Sequence, residues 1–185
     1  MTIPDLARFA YNFLLKHLSK PTSSGVSVGI AVPLGSGYSR HDDEKAVRLR
    51  VVARMRNLLG IPYLLGAEDA DLKIETRPAA IDCSEAIELA YAQEAYFTRK
   101  MPDGARYQEA FCKGIGDPLP ADLGFLHYIS PRTGKQVWHV GMFTERETVI
   151  HASASRGEVV EDRVAVFTSH KGFLGWGRHP EFLQS

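Results

Sequence analysis

The sequence contains only two cysteines, and one of them, Cys83, lies where a loop gives way to a predicted helix. Asp82 precedes it as a candidate N-cap residue, and apolar side chains recur at helical spacing from 83 to 99. At a helix N-terminus, unpaired backbone N–H groups and the helix dipole favour negative charge, so this position can lower the pKa of a thiol. Cys83 is therefore a candidate nucleophile, and a buried structural thiol is the alternative interpretation.

Two histidines on consecutive predicted strands could supply the base that such a nucleophile needs. A three-residue turn at 144–146 would place His139 directly opposite His151, on the same face of the hairpin. A neutral imidazole can accept the thiol proton, and a second polar side chain can hold that ring in its orientation. The spacing therefore predicts His139 as the base and His151 as the residue that orients it.

The same residues allow other interpretations. Cys83, His139 and His151, together with Asp82, could hold a zinc ion. No motif places the separate glutamate base that catalytic zinc sites usually add, so we expect neither a metal nor another cofactor. Two histidines whose hydrogen bonds are satisfied inside a sheet are the structural alternative. Cys112 is predicted to be structural because no helix start lies beside it, and both cysteines are expected to be free thiols.

The elements that must position these residues are predicted as helices first and strands afterwards. Apolar residues at spacings of three and four predict helices at 3–18, 39–59 and 83–99. The stretch 100–122 is rich in glycine and proline and is predicted to be mostly loop. After it the apolar period becomes two, which predicts strands at 123–129, 136–144, 147–153, 158–167 and 172–178. This order indicates an α+β fold, in which N-terminal helices pack on a C-terminal antiparallel sheet of about five strands.

Amino-acid composition and the N-terminal sequence narrow the possible classes of function further. Lys plus Arg equals Asp plus Glu at 22 each, so no net charge directs the protein to nucleic acid or to an anionic membrane. No apolar run approaches the roughly 18 residues of a membrane span. Residues 1–40 are predicted to form an extension of helix and loop with a short strand near 26–32, and residues 41–185 to form the main domain. The N-terminus lacks the pattern of a signal peptide, so the chain is expected to be cytoplasmic as made; the oligomeric state is left open.

Four short blocks, taken together, resemble the NlpC-type cysteine peptidases of bacterial cell-wall turnover, which have a papain-like core. The blocks occur in the same order over roughly residues 45–178, and the step between the two histidines is also similar. They are Leu59-Gly60-Ile61-Pro62-Tyr63, Asp82-Cys83-Ser84, Ala121-Asp122-Leu123-Gly124-Phe125, and His139-Val140-Gly141-Met142-Phe143 followed by Val149-Ile150-His151-Ala152. The resemblance implies a papain-like fold and cleavage of peptide (amide) bonds in peptidoglycan stems, typically after a γ-linked D-glutamate.

The resemblance also implies a role for individual residues. Cys83, His139 and His151 would form the catalytic triad and work through a thioester intermediate. The backbone N–H of Cys83, at the helix start, is expected to donate to the oxyanion. The implied substrate-binding residues around the nucleophile are Tyr63, Asp82, Ser84 and Glu85.

The chain departs from the family pattern near the implied substrate groove. Glu85 stands where the family has glycine after the nucleophile, Ala67 and Ala121 replace two further glycines, and the loop at 67–81 is longer. These differences are compatible with cleavage of another amide in a cell-wall stem. The alternatives are an acyltransferase with the same triad and a non-catalytic structural or binding module, such as a phage tail component. Without a signal peptide, the resemblance implies delivery by a phage or by another non-classical route.

Overall fold

The computed structural model describes residues 40–67 and 78–183, with side chains from Glu44 onward. The helix and strand predicted within residues 1–40 and most of the 67–81 loop lie outside this part of the chain, so the division into extension and main domain stays a prediction. The helices α1 to α4 span Arg40–Asn57, Cys83–Ala92, Ala105–Phe111 and Val164–Thr168, and a 3₁₀ helix spans Pro180–Leu183. The strands β1 to β6 span Lys113–Ile115, Leu123–Ile129, Gln136–Phe143, Thr148–Ser153, Glu158–Arg163 and Phe173–Arg178.

Six strands of the described chain form one antiparallel sheet, in the order β1-β6-β2-β3-β4-β5. The predicted α+β class, with helices followed by an antiparallel sheet, is confirmed. Both α3 and β1 fall within 100–122, which is otherwise loop and turn as predicted; these two elements were missed because seven and three residues are too short to show a period. Pairing with β6 holds β1 in place. Among the described residues, no helix has the length and hydropathy needed to cross a membrane.

The main core lies between α1, α2 and one face of the sheet. Its fully buried members include Val51, Val52, Met55, Ile87, Val140, Met142 and Ile150. In α2 the buried positions recur every three or four residues, which is the apolar stripe that the sequence predicts. The other face of the sheet carries a smaller cluster of Leu126, Val149 and Phe167. The central strands are therefore covered on both faces.

The helix α2 ends at Ala92, although helical spacing continues to residue 99. Beyond it the chain turns, and Phe97 packs against Phe182 of the 3₁₀ helix with ring centroids 5.1 Å apart. Glu181 of the same helix accepts a hydrogen bond from the backbone N–H of Thr98 at 2.9 Å. The predicted helix is too long because these contacts with the C-terminal segment hold residues 93–99 in a turn.

The strand β5 ends at Arg163, and the chain then forms α4 in place of the strand predicted to continue to residue 167. Val164 and Val166 are β-branched, which favours a strand by propensity. The helical turn instead places Phe167, which is 4% exposed, on the second face of the sheet. Tertiary packing therefore overrides local propensity here, whereas the ends of the other predicted strands agree with the structure within one residue.

A buried ion-pair network ties α1 to β6 and to the start of β2. Asp122 is fully buried and accepts hydrogen bonds from Arg48 of α1 at 3.0 Å and from Arg178 of β6 at 2.7 Å. Arg48 also bonds Glu44 at 2.7 Å, and its guanidinium lies 3.8 Å from the ring centroid of Phe182. Because these charged groups have lost most of their water, each depends on its partners for stabilisation.

Candidate active site

Cys83 is the first residue of α2, and Asp82 is the N-cap of that helix. One carboxylate oxygen of Asp82 accepts hydrogen bonds from the backbone N–H of Glu85 at 3.0 Å and from the hydroxyl of Ser84 at 2.9 Å. The other oxygen accepts from the backbone N–H of Gly66 at 3.2 Å. The predicted cap is confirmed, and it ties the preceding loop to the first turn of the helix.

The sulfur of Cys83 lies beside a gap between β3 and β4. The N–H of Phe143 donates to the carbonyl of Asp122, on the β2 side. Alternate residues of a strand direct their N–H groups to opposite sides, so the N–H of Val140 points towards β4. At Val140 β4 no longer pairs with β3. The N–H of Val140 is therefore free of β4 and donates to the Cys83 sulfur. The two strands pair only near the turn, through Met142 with Ile150 and Phe143 with Val149.

The turn between β3 and β4 begins one residue later than predicted. The N–H of Thr144 donates to the carbonyl of Thr148 at 2.9 Å, and the two threonine hydroxyls are 2.6 Å apart. These bonds close the turn around the three residues that follow Thr144, which moves the strand register by two residues. The prediction that His139 and His151 are direct cross-strand partners is therefore wrong. A shift of two residues nevertheless keeps both histidines on the same face.

His151 contacts His139 diagonally across the hairpin, with His139 Nε2 2.9 Å from His151 Nδ1. The register places His151 level with Gly141. A Cβ added at Gly141 would lie 3.1 Å from His151 Cβ and 2.5 Å from Val149 Cγ1. The structure therefore brings the two predicted histidines together across a glycine whose missing side chain leaves the necessary space.

Gly141→Ala is expected to lower the free energy of unfolding by about 1–3 kcal/mol, because the new Cβ overlaps Val149 and His151. Gly116→Ala is the matched control, since nothing lies within 4 Å of the position that its Cβ would take. Urea denaturation of the two variants measures the difference. Equal midpoints would show that the sheet does not need a glycine at residue 141.

Phe167 of α4 covers both imidazole rings on the second face of the sheet. Its ring centroid lies 6.0 Å from that of His139 and 5.4 Å from that of His151. Gly124 and Gly141 are cross-strand partners beneath this ring, and a Cβ on them would lie 2.9 and 3.0 Å from it. Burial lowers the pKa of His139 to about 3 and also lowers the pKa of His151. Both imidazoles are therefore neutral at pH 7.

The neutral His139 makes the stability of the fold depend on pH. In the unfolded chain a histidine binds a proton near pH 6.5, whereas His139 in the fold does so only near pH 3. Below pH 6.5 the unfolded state therefore binds more protons, and stability falls as the pH falls towards 3. His139→Gln is expected to remove up to about 1.4 kcal/mol per pH unit of this loss.

Urea denaturation of both proteins at pH 5 and pH 7 measures the change in slope. The raised pKa of Glu88 acts in the opposite direction, stabilising the fold as the pH falls from about 8 to 4.5. That residue is the same in both proteins, so the comparison isolates the contribution of His139. Identical slopes would contradict a neutral imidazole with a lowered pKa at this position.

Burial raises the pKa of the Cys83 thiol to about 12, and the negative charge of Asp82 adds to this effect. The lowered thiol pKa predicted from the helix N-terminus is wrong, because desolvation outweighs the hydrogen bonds that three backbone N–H groups donate to the sulfur. Tyr63 lies in the same site, since burial and then the charges of Cys83 and Asp82 raise its pKa to about 12. Burial and the charge of Cys83 also raise the pKa of Tyr128.

Sequence reasoning missed Asp162, which extends the pair of histidines. His151 Nε2 lies 3.2 Å from Asp162 Oδ2, and Arg156 Nη2 lies 3.2 Å from Asp162 Oδ1. Asp162 is on β5, two residues beyond the Val160 that pairs with His151. A four-residue turn after Ser153 predicts this register and places Asp162 on the same face as His151. The spacing between His151 and Asp162 in the sequence could therefore have identified Asp162.

The other predicted substrate-binding residues lie around the first turns of α2. Ser84 is buried; its hydroxyl donates to Asp82, and its carbonyl accepts a hydrogen bond from Gln108 at 3.0 Å. Ser84 therefore supports the cap. Glu85 lines a cavity of about 340 Å³ together with Glu88, whose pKa burial and neighbouring carboxylates raise to about 8. Glu85 thus adds negative charge to the wall of this cavity.

The two cysteines, Cys83 and Cys112, are both free and buried, as the sequence predicts. Within residues 40–67 and 78–183, no group of three or more His, Cys, Asp and Glu side chains is arranged to hold a metal ion. The zinc interpretation of Cys83, His139 and His151 therefore gains no support from the described geometry.

Comparison with known proteins rests on structure, because no protein-family model and no curated protein matches the sequence. The P60 domain of an antigen from M. avium subspecies paratuberculosis matches with a TM-score of 0.55 at 20% identity, over 74% of this chain and 96% of that one. The fold is that of an NlpC/P60 domain. The predicted NlpC-type, papain-like fold is thereby confirmed.

Two further NlpC/P60 structures are similar to this chain to different extents. The peptidoglycan hydrolase RipB from Mycobacterium tuberculosis matches with a TM-score of 0.56 at 17% identity, over 95% of this chain and 84% of that one. NlpC1 from Trichomonas vaginalis matches with a TM-score of 0.50 at 22% identity, over 74% of this chain and 45% of that one. The shared NlpC/P60 fold thus accounts for most of this chain but less than half of NlpC1.

Proposed function

We propose that this protein is a cysteine hydrolase that cleaves amide bonds in peptidoglycan stem peptides, with Cys83 as nucleophile, His139 as base and His151 as orienting residue. The observation that carries the proposal is the position of the Cys83 sulfur, at a helix N-terminus and hydrogen-bonded to the residue that follows His139 in β3. The NlpC/P60 fold, shared with a protein named as a peptidoglycan hydrolase, supports the substrate class.

The chemistry begins with a neutral thiol and a neutral imidazole. His139 Nε2 is bonded to His151, so Nδ1 is the nitrogen that takes the thiol proton as the sulfur attacks the carbonyl carbon. The backbone N–H groups of Val140, Ser84 and Cys83 point at the sulfur and stabilise the negative charge that develops there. This arrangement needs no preformed thiolate, in agreement with the raised pKa of the thiol.

A tetrahedral intermediate forms next and collapses to a thioester. Its carbon–nitrogen bond breaks, and the His139 imidazolium donates its proton to the leaving amine. In the tetrahedral intermediate the sulfur is bonded to carbon and carries no negative charge, so the N–H of Cys83 is available to donate to the oxyanion. A water molecule, deprotonated by His139, hydrolyses the thioester and restores the thiol.

Substrate recognition is assigned to the residues around the first turn of α2. Tyr63 and Asp82 are close enough to the sulfur for their charges to influence one another. Glu85, three residues after Asp82, adds a second carboxylate near the nucleophile, at the position where the family has glycine. We assign the cleaved bond to the class that follows a γ-linked D-glutamate in the stem. Cytoplasmic synthesis with phage-borne or non-classical delivery, and the lack of a nucleic-acid partner, stay predictions.

Digestion of purified muropeptides with intact stems, with products identified by mass spectrometry, tests the proposal. The expected result is a pair of fragments that carry a new carboxylate and a new amine. A product in which an added amine is joined to the acyl fragment would instead identify an acyltransferase. If the protein and its Cys83→Ala variant leave every muropeptide intact, the protein is a non-catalytic module on these substrates, and the proposal fails.

A further inference from the structure

We propose that Asp162 is a positioning residue that sets the protonation pattern of the two histidines, so that His139 presents an unprotonated nitrogen to Cys83. The inference rests on the proposed function, in which Cys83 is the nucleophile. Asp162 lies on β5, diagonal to His151, and its side chain is 19% exposed. It touches neither the sulfur nor the base, so it acts through His151.

The hydrogen bonds can be followed from Asp162 inwards. An ionised carboxylate only accepts hydrogen bonds, so the bond of 3.2 Å places a proton on His151 Nε2. In a neutral imidazole the other nitrogen is then an acceptor, and His151 Nδ1 must accept from His139 Nε2 at 2.9 Å. His139 therefore carries its proton on Nε2, and its Nδ1 has the free lone pair that a general base needs.

Arg156 holds the carboxylate in this role. Its guanidinium lies 3.2 Å from Asp162 Oδ1, which leaves Oδ2 for His151. Burial lowers the pKa of His151 and the charge of Arg156 lowers it further, while Asp162 opposes both effects. His151 thus stays neutral, as an acceptor from His139 must.

The arrangement also stabilises the charged step of the reaction. When His139 takes the thiol proton, it becomes an imidazolium that still donates from Nε2 to His151. The proton stays on His139, and the negative charge of Asp162 interacts favourably with the new positive charge through the intervening ring. Phe167 packs against both rings, and its apolar ring lowers the local dielectric constant and so strengthens this interaction.

Two substitutions at Asp162 distinguish the effect of its hydrogen bond to His151 from the effect of its size and shape. In Asp162→Asn, Arg156 is expected to hold the amide oxygen, so the amide N–H₂ faces His151 Nε2 and reverses the protonation of both rings. This variant should lower kcat for muropeptide cleavage by about a hundredfold with KM unchanged, and Asp162→Ala, which only removes the acceptor, by about tenfold. Glu161→Gln is the matched control, because it removes a charge from the same strand without contact to His151.

Nitrogen NMR of the imidazole rings provides a readout that does not depend on any substrate. The expected spectra show a proton on Nε2 of both histidines in the wild type and in Glu161→Gln, and on Nδ1 of both in Asp162→Asn. The rate of Cys83 alkylation by iodoacetamide at pH 7 should fall in the same order as kcat. An unchanged protonation pattern in Asp162→Asn, or an equal effect of Glu161→Gln, would overturn the inference.

The two proposals fail in different ways. If the wild type cleaves no muropeptide but Asp162→Asn still reverses the protonation and slows alkylation, the substrate is wrong and the positioning role stands. If the wild type cleaves muropeptides and Asp162→Asn is as active as the wild type, the hydrolase stands and the positioning role is wrong.

Discussion

Cys83→Ala is expected to lower kcat for muropeptide cleavage by at least about a thousandfold, because removal of a nucleophile leaves only binding and oxyanion stabilisation. Alanine is small enough for the buried first turn of α2, and the cap formed by Asp82 does not involve the sulfur. The variant should therefore unfold within about 1 kcal/mol of the wild type. Product formation by mass spectrometry and thermal unfolding measure the two quantities.

Cys112→Ala is the matched control for this experiment. Burial raises the pKa of the Cys112 thiol to about 12, as it does for Cys83, but only Cys83 hydrogen-bonds the strand that carries His139. Full activity is therefore expected from Cys112→Ala, and iodoacetamide should modify Cys83 first. If Cys83→Ala retains activity, or if the two thiols react at equal rates, Cys83 is a structural thiol.

The largest loss of stability is expected from Asp122→Ala. This change leaves Arg48 and Arg178 without the buried carboxylate that joins them, and breaking a buried pair in this way costs about 3–5 kcal/mol. A loss of this size is a large fraction of the roughly 5–15 kcal/mol that keeps a domain folded. Urea denaturation, and the soluble yield where the variant is too unstable, measure the effect.

Asp117→Ala is the control, because Asp117 is an exposed carboxylate in the segment just before Asp122. It is expected to change the free energy of unfolding by no more than about 0.5 kcal/mol. If both substitutions cost less than 1 kcal/mol, the network around Asp122 contributes little to stability.

The proposed site of Cys83, His139 and His151 could be predicted from the sequence because it depends on features that tolerate small errors in the bounds of helices and strands. The cap at Asp82 is a local property of three or four residues, and the structure confirms it. Whether His139 and His151 share a face of the sheet depends only on whether the turn has an odd or an even number of residues. The turn begins one residue later than predicted, which shifts the register by an even number and leaves the face unchanged.

The register itself could not be predicted, because it depends on how the turn closes. The hydrogen bonds between Thr144 and Thr148 select it, and Glu147 adopts a φ of 55°, which is uncommon for a residue other than glycine. Nothing in the sequence marks Glu147 for that conformation. The helix α4 was missed for a related reason, since Phe167 gains more by packing on the histidines than its segment gains as a strand.

Ala121 shows how a departure from the family pattern is accommodated. It stands where the family has glycine, and its φ of 69° is in the left-handed region that favours glycine. Its N–H donates to the carbonyl of Phe143 at 2.9 Å, and its carbonyl accepts from the hydroxyl of Tyr91. These bonds hold a conformation that alanine alone disfavours by about 1–2 kcal/mol.

The gap between β3 and β4 has a consequence for the order in which the chain folds. A hairpin that pairs only near its turn has little stability of its own, whereas β2 pairs with β3 along its full length. We therefore expect β4 to settle against β3 only after α2, which lies more than forty residues earlier in the chain, has docked. Until β4 joins the sheet, His139 on β3 lacks the hydrogen bond to His151 that would orient it. If Cys83 is the nucleophile, its base is therefore oriented only at the last stage of folding.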